Sequence, residues 1–160
     1  MQIIKDIFLN HMIIAPIFSW AIAQILKTLI YLIVEKEFVF KRMISDGGMP
    51  SAHSATVISL AVMCGWIQGF DSAAFAISLI IAIVIMRDAV GVRRESGVNA
   101  SAIKQLADKS NKELDEGEAP IETNKLKVLV GHTPFQVACG CVIGIVVCIL
   151  YILIGKIPMA

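Results

Sequence analysis

The sequence predicts an all-α protein: a polytopic helical membrane bundle of about four membrane helices, with an amphipathic helix on its cytoplasmic side. Three observations carry that prediction. Of the 160 residues, 57% are hydrophobic and only 17% charged. The apolar excess sits in long runs rather than in scattered core positions, as in helices that cross a bilayer. Polar and turn-forming residues gather between the runs, at about 35–50, 69–72 and 87–131. No Pro/Gly/Ser-rich linker divides the chain, so residues 1–160 read as one membrane domain with a polar insertion at about 95–130. A net charge of +1 gives no reason to expect nucleic acid as a partner.

The first run covers 13–34, enough for one crossing at about 20 residues, with Pro16 tolerated near its start. Residues 1–12, with Lys5, Asp6, Asn10 and His11, are expected along the interface. That stretch has no small-residue cleavage site leading into a soluble domain, and reads as retained rather than as a signal peptide. Lys27 lies inside the run, two turns before the charged exit at Glu35-Lys36-Glu37. Two explanations stand for it: snorkelling to the interface, or facing the bundle interior as part of an anion site.

The second run, 51–67, follows the turn Gly47-Gly48-Met49-Pro50, with Ser51 as a natural N-cap and His53 in the first turn. The turn Gly69-Phe70-Asp71-Ser72 leads into a third run at 73–86. Both runs are short for spanning helices, so tilt, bilayer thinning or partial burial is expected. Charges then crowd at 87–97, among them Arg87, Asp88, Arg93, Arg94 and Glu95. After Asn99 the chain is polar, but Ile103, Leu106, Ala107 and Leu114 recur at near-helical spacing. That pattern predicts an amphipathic helix resting on the domain. Residues 115–124 read as an exposed loop.

The last run, to about Ile154, opens at Gly131-His132-Thr133-Pro134, where Thr133 suits the N-cap and Pro134 the first helical position. Gly140 and Gly144 have the small-xxx-small spacing of close helix packing. Cys64, Cys139, Cys141 and Cys148 all lie inside apolar runs, with no paired metal-ligand spacing, and read as small buried hydrophobes.

In an alternating topology, the connection before Ser51 and the one before His132 emerge on the same side. They hold Lys36, Lys41, Arg42, Arg93, Arg94, Lys104, Lys109, Lys112, Lys125 and Lys127, against Lys5 and Lys156 opposite. The positive-inside rule puts the loaded side in the cytoplasm. Two helix N-termini therefore meet one membrane face, each with a histidine beside it, and such termini favour anions. Lys27, Arg42, Arg93 and Arg94 approach the same face from other segments. Two histidines and a cationic cluster, with no Asp/Glu/His cage for a metal and no cofactor motif, suit metal-free phosphoryl transfer. One histidine would attack phosphorus and the other would protonate the leaving oxygen.

The segments Pro50-Ser51-Ala52-His53 and His132-Thr133-Pro134-Phe135-Gln136-Val137, with Gly140 after them, resemble motifs of the type 2 phosphatidic acid phosphatase family. The nearer likeness is to its divergent branch, the acid phosphatase/vanadium-dependent haloperoxidase-related membrane proteins. Gly-Gly-Met-Pro-Ser-x-His-Ser-Ala, Asp-Ala-x-Gly-Val-Arg-Arg and Gly-His-Thr-Pro occur in that branch in this order, and the likeness covers nearly the whole chain. The resemblance implies His132 as nucleophile, Ser51 as phosphate ligand and His53 as general acid. It also implies Lys27, Arg42 and either Arg93 or Arg94 as phosphate-binding cations.

Three departures accompany it. The arginine that lies shortly before the histidine in the broader family is here separated from it by the polar insertion. The glycine after the second motif's serine is Ala52. The carboxylate that orients the nucleophilic histidine in the broader family falls at Gln136, a neutral amide that fixes a tautomer without stabilising an imidazolium. Asp88 or Glu95 is the expected source of the missing charge, with an ion pair to Arg93 or Arg94 as the structural alternative for Asp88.

The leading expectation is a phosphatase acting on a lipid phosphate of the cytoplasmic leaflet, with phosphatidylglycerophosphate or phosphatidic acid as substrate and polyprenyl phosphates open. The competing class is a lipid-phosphate binder or scaffold without turnover, which Gln136 favours. Oxidant chemistry on bound vanadate has nothing specific in the sequence behind it. With fewer spans than the broader family, the chain leaves room for a homodimer that completes the bundle.

Overall fold

The computed structural model describes residues 1–35, 48–113, 120–123 and 131–160. Its elements are α1 (Gln2–Phe8), α2 (His11–Glu35), α3 (Ala52–Gln68), α4 (Ala73–Val90), α5 (Val92–Ser110) and α6 (Pro134–Gly155). The described residues contain no strand. Three helical stretches are long and apolar enough to cross a membrane: 11–34, 73–110 and 134–155. The fourth expected crossing, α3, has 17 residues. At about 1.5 Å per residue it reaches about 26 Å, short of the roughly 30 Å hydrocarbon layer.

α3 is short because it is enclosed. It packs against α2, α4 and α6, whereas α2 and α4 do not touch each other. Its buried face is mostly small residues, Ala52, Ser54, Ala55, Ser59, Ala61 and Gly65, with Met63 and Cys64 toward the far end. Where the side chains are small the neighbouring backbones come close, which is how helices associate where lipid offers no hydrophobic drive.

The contacts fix the register. α6 runs parallel to α3, and a side chain at Gly140 would run into the Ser51 carbonyl, one at Gly144 into the Ala55 backbone. One turn further, Cys148 Sγ lies 3.6 Å from the Ser59 carbonyl. The spacing read as close packing is close packing. α2 runs antiparallel to α3: Ala15 shares a core cluster with Met63, Ala23 shares another with Ala52 and Ala55, and the Tyr31 ring covers Gly48. Each step of four residues moves about 6 Å along both helices. Ser19 therefore lies level with Ser59, and Lys27 level with Ser51.

At the opposite end, His11 Nδ1 lies 2.9 Å from the Tyr151 hydroxyl. Trp66 Nε1–H donates to the Ile157 carbonyl (3.0 Å), and the Ala160 N–H returns to the Trp66 carbonyl (3.0 Å). α1 buries no residue, and Ile3, Ile4, Ile7 and Phe8 are exposed along it.

Two boundaries differ from expectation. α4 continues through Arg87 and Asp88 to Val90. Charges at the end of an apolar run mark the membrane edge, not the helix end, and Arg87 in the last turn suits the helix dipole. The amphipathic helix begins at Val92 rather than near Asn99. Helical bonding runs nearly through the break, since Gly91 N–H bonds Arg87 O (2.8 Å) and Glu95 N–H bonds Gly91 O (2.9 Å). Among the described helices α5 touches only α4, and its first turn also lies against Gly131. Gly97 and Ala107 are buried on it, while Val98, Ile103 and Leu106 stay exposed.

Candidate functional site

Two backbone hydrogen bonds bring three helix ends together. The Ser51 N–H, at the start of α3, donates to the Gln136 carbonyl in the first turn of α6 (3.1 Å). The His132 N–H, just before α6, donates to the Ala89 carbonyl in the last turn of α4 (3.0 Å). Both N-termini are capped as their sequences predict. Ser51 Oγ accepts from the Ser54 N–H (3.3 Å) and the Ser54 hydroxyl (2.9 Å), which leaves the Ser51 proton as its remaining donor. Thr133 Oγ accepts the Gln136 N–H (3.3 Å), and Gln136 Oε1 accepts the Thr133 N–H (3.0 Å).

Around this knot the two histidines meet. The His53 and His132 rings are 6.4 Å apart between centroids and nearly perpendicular, at 82°. The His132 residue is 4% exposed, whereas His53 opens to the surface. One ring is thus held by its surroundings and the other is reachable from outside. That asymmetry suits a positioned nucleophile facing a proton carrier that exchanges with solvent.

Lys27 is 2% exposed, with its ammonium 3.4 Å from Gln24 Oε1. Its burial places it in the bundle interior rather than at the interface. Lys27 lies level with Ser51, between the Ala23–Ala55 layer and the Tyr31–Gly48 layer, at the end of the bundle where the starts of α3 and α6 are joined.

The arginines join by a backbone route. A side chain at Gly131 would strike the backbone of Arg93 and Arg94, so the start of α5 lies directly against the residue before His132. The sequence separation between the arginines and His132 is thus undone in space. Arg93 Nε donates to Asp88 Oδ2 at 2.7 Å, with both side chains partly exposed. Asp88 thus takes its structural alternative. Arg94 and Glu95 are exposed on the first turn of α5.

Gln136 Oε1 is committed to the cap of α6 rather than free to orient His132. The physical reason is the Thr-x-x-Gln spacing of a capping box, in which cap and third helical residue satisfy each other's N–H groups. Arg42 falls outside the described residues. Sequence reasoning passed over Tyr31 and Ala89. Tyr31 had a signal, one helical turn beyond Lys27 on the same face; Ala89 contributes only a carbonyl and had none. Among the described residues no three His, Cys, Asp or Glu side chains gather in a way that would hold a metal ion.

With that geometry in place, comparison with known proteins decides the lineage. Residues 8–147 match the divergent PAP2 family. The chain belongs to that family. It is also 34% identical over 146 residues to YuiD of Bacillus subtilis (strain 168), described as an uncharacterized membrane protein, covering 88% of this chain and 92% of that one. No solved structure matches significantly. Membership of the divergent PAP2 family makes this a phosphatase-related integral membrane protein, in keeping with its three apolar helices.

Proposed function

We propose that this divergent PAP2 protein is a metal-independent phosphatase for a lipid phosphate, working through a phosphohistidine at the cytoplasmic face. The observation that carries the reading is the pairing of His53 and His132 at 6.4 Å, beside a buried lysine and between two helix N-termini. The cytoplasmic placement rests on the lysine and arginine surplus of the loops on that side.

In the proposed reaction, the phosphate monoester lies between the two rings. Lys27, the Ser51 hydroxyl and the N–H groups that the caps leave unused, those of Ala52, His53 and Phe135, receive its equatorial oxygens, with Arg94 reaching in from α5. An imidazole nitrogen of His132 attacks phosphorus and the P–O bond to the lipid breaks. His53 gives its proton to the leaving lipid oxygen. Water then attacks the phosphohistidine, His53 takes a proton from that water, and orthophosphate departs with His132 restored. The fixed donors favour this path because charge on the equatorial oxygens meets dipoles already aimed at it. Phosphatidylglycerophosphate and phosphatidic acid are the substrates to test first, since each presents a terminal phosphomonoester at the membrane surface.

A second reading has its own observation. Gln136 replaces the family's carboxylate and caps a helix, and Asp88 pairs with Arg93. With the amide of Gln136 serving as a cap in place of the family's carboxylate, the site in this reading binds a lipid phosphate without turning it over. Purified protein in EDTA, given both lipids, separates the two. Vanadate-sensitive phosphate release that disappears in His132→Ala and His53→Ala, and persists in Lys112→Ala, supports the enzyme. Tight binding without release from a folded sample supports the binder.

A further inference from the structure

The phosphate site described above uses Lys27 and Ser51, but it does not explain what holds the Gly48–Ser51 turn at the height of Lys27. The turn has no helix of its own. Its backbone is tied to α6 by the Ser51 N–H, and on the α2 side Tyr31 lies against Gly48. Gly48 has φ +98°, a conformation that L side chains rarely adopt. A Cβ built there would overlap the Tyr31 hydroxyl and ring. Gly48 is therefore constrained twice, by its backbone angle and by the aromatic ring lying against it.

Tyr31 stands one turn beyond Lys27 on the face of α2 that carries Ala15, Ser19, Ala23 and Lys27 at four-residue intervals. Each of the earlier three small residues is fully buried, and Lys27 is nearly so. The stripe widens abruptly at Tyr31, where α3 has ended and the turn takes its place. A rigid ring at that point supports the turn from the α2 side, in the way that an alanine supports the helices below it.

We infer that Tyr31 is a positioning residue for the anion site. By packing on Gly48 it sets the distance between the Ser51 hydroxyl and the Lys27 ammonium, and so the fit of a phosphoryl group between them. The inference rests on the phosphate-site reading above. It assigns to Tyr31 no contact with the reacting atoms. Its effect passes through the turn, and the role is assigned to the ring, whose Cζ and Cε2 lie against Gly48 behind the hydroxyl.

The test uses the full chain in nanodiscs, with orthovanadate as the probe and phosphate release from phosphatidic acid as the second readout. Tyr31→Ala is expected to weaken vanadate binding and raise KM on the order of tenfold or more, since displacements near 1 Å at a reacting centre carry losses of that scale. Tyr31→Phe keeps the ring and is expected to restore both to within about twofold of wild type, as such a rescue would require. Gly48→Ala is expected to reproduce the Tyr31→Ala loss. The double variant should be no worse than the worse single one, because both act on one contact. A Tyr31→Ala protein that is folded, by unchanged circular dichroism, and binds vanadate as tightly as wild type overturns the inference alone. A Tyr31→Phe protein as damaged as Tyr31→Ala overturns it too, by moving the role to the hydroxyl. A folded wild-type protein that neither binds vanadate nor releases phosphate overturns the parent reading, and this inference with it.

Discussion

The two ends of the α2–α3 seam are made to one pattern and do opposite things. Along it, residues four apart on α2 face α3 and the turn before it. Toward the far end Ala15 packs with Met63, Cys148 and Ile152, and the helical rise sets Ser19 level with Ser59. Toward the site Ala23 packs with Ala52 and Ala55, the same rise sets Lys27 level with Ser51, and Tyr31 lies against Gly48. The first half is a plug of small and sulfur-bearing side chains, in which Cys64 lies 3.8 Å from Met12 and Cys148 4.0 Å from Met63. The second half opens into cations, hydroxyls and imidazoles. What changes between them is not the helix geometry but the point at which α3 stops. Once its N-terminus is reached, its N–H groups are unsatisfied from within, and polar chemistry on α2 has something to meet.

If that contrast is functional, substitutions at the two ends should separate cleanly. The largest effect is expected at the histidines. His132→Ala should lower phosphate release by on the order of 10⁶-fold, as when a nucleophile acting in a unit is removed. His53→Ala should cost about 10²–10⁴-fold, the range for a general acid, and the double variant should match His132→Ala. Tyr151→Phe, at the far end, should leave turnover within about twofold, in line with substitutions remote from a site. Steady-state phosphate release decides it, and equal losses at both ends would erase the distinction.

The next effect is in binding. Lys27→Met keeps the length of the side chain and removes its charge. A hydrogen bond to a charged group is worth about 1.5–3 kcal/mol, so vanadate affinity should fall roughly ten- to a hundredfold. At one vanadate concentration the unfolding temperature of the wild type should rise by more than that of the variant, because ligand stabilisation grows with occupancy. Equal vanadate stabilisation of both would place the anion somewhere other than beside α2.

Much of this was legible in the sequence, and what was hidden was hidden for physical reasons. Ser51 and Thr133-Pro134 announce their helix starts, because caps are local interactions. Gly140 and Gly144 announce a packed seam, because only glycine allows such an approach. The orientation of Lys27 was open, since a single lysine near a helix end satisfies the snorkelling and the interior explanation equally well. The four-residue spacing of Ala15, Ser19, Ala23 and Lys27 decides it once read as one stripe, because a lysine in line with three small residues faces the same neighbour they do. Gln136 was read by its place in a family pattern, and its nearer relation to Thr133 takes the amide oxygen instead. The return of Arg94 to Gly131 across the insertion is a long-range contact, and no local preference encodes one.

The packing of the α3–α6 seam gives a smaller and purely structural effect. Gly144→Val would push a branched side chain into the Ala55 backbone. Overpacking of this kind costs about 1–3 kcal/mol, read as a fall of several degrees in the unfolding midpoint. Val142→Ala, on an exposed face of the same helix, should shift the midpoint far less. Comparable shifts would mean that α6 does not approach α3 at Gly144.

The smallest effect is the most exacting, because it turns on sign. Ser51 and Ser59 are the same residue type on the same helix, and both are fully buried. Ser51 Oγ accepts two hydrogen bonds, one of them the helix cap. Ser59 Oγ, like Ser19 Oγ across the seam, has no hydrogen-bond partner among the described residues. Removing a cap costs about 1 kcal/mol, so Ser51→Ala should lower the unfolding midpoint. Removing a buried hydroxyl that makes no bond relieves its desolvation, worth about 1–3 kcal/mol on protein scales, while the loss of one small atom leaves little space behind. Ser59→Ala should therefore leave the midpoint unchanged or raise it. The two variants can be measured side by side in one detergent by thermal unfolding. A fall at Ser59→Ala as large as that at Ser51→Ala would show that the far end of the seam is held by polar contacts as the site end is, and the division drawn between the two halves would fail.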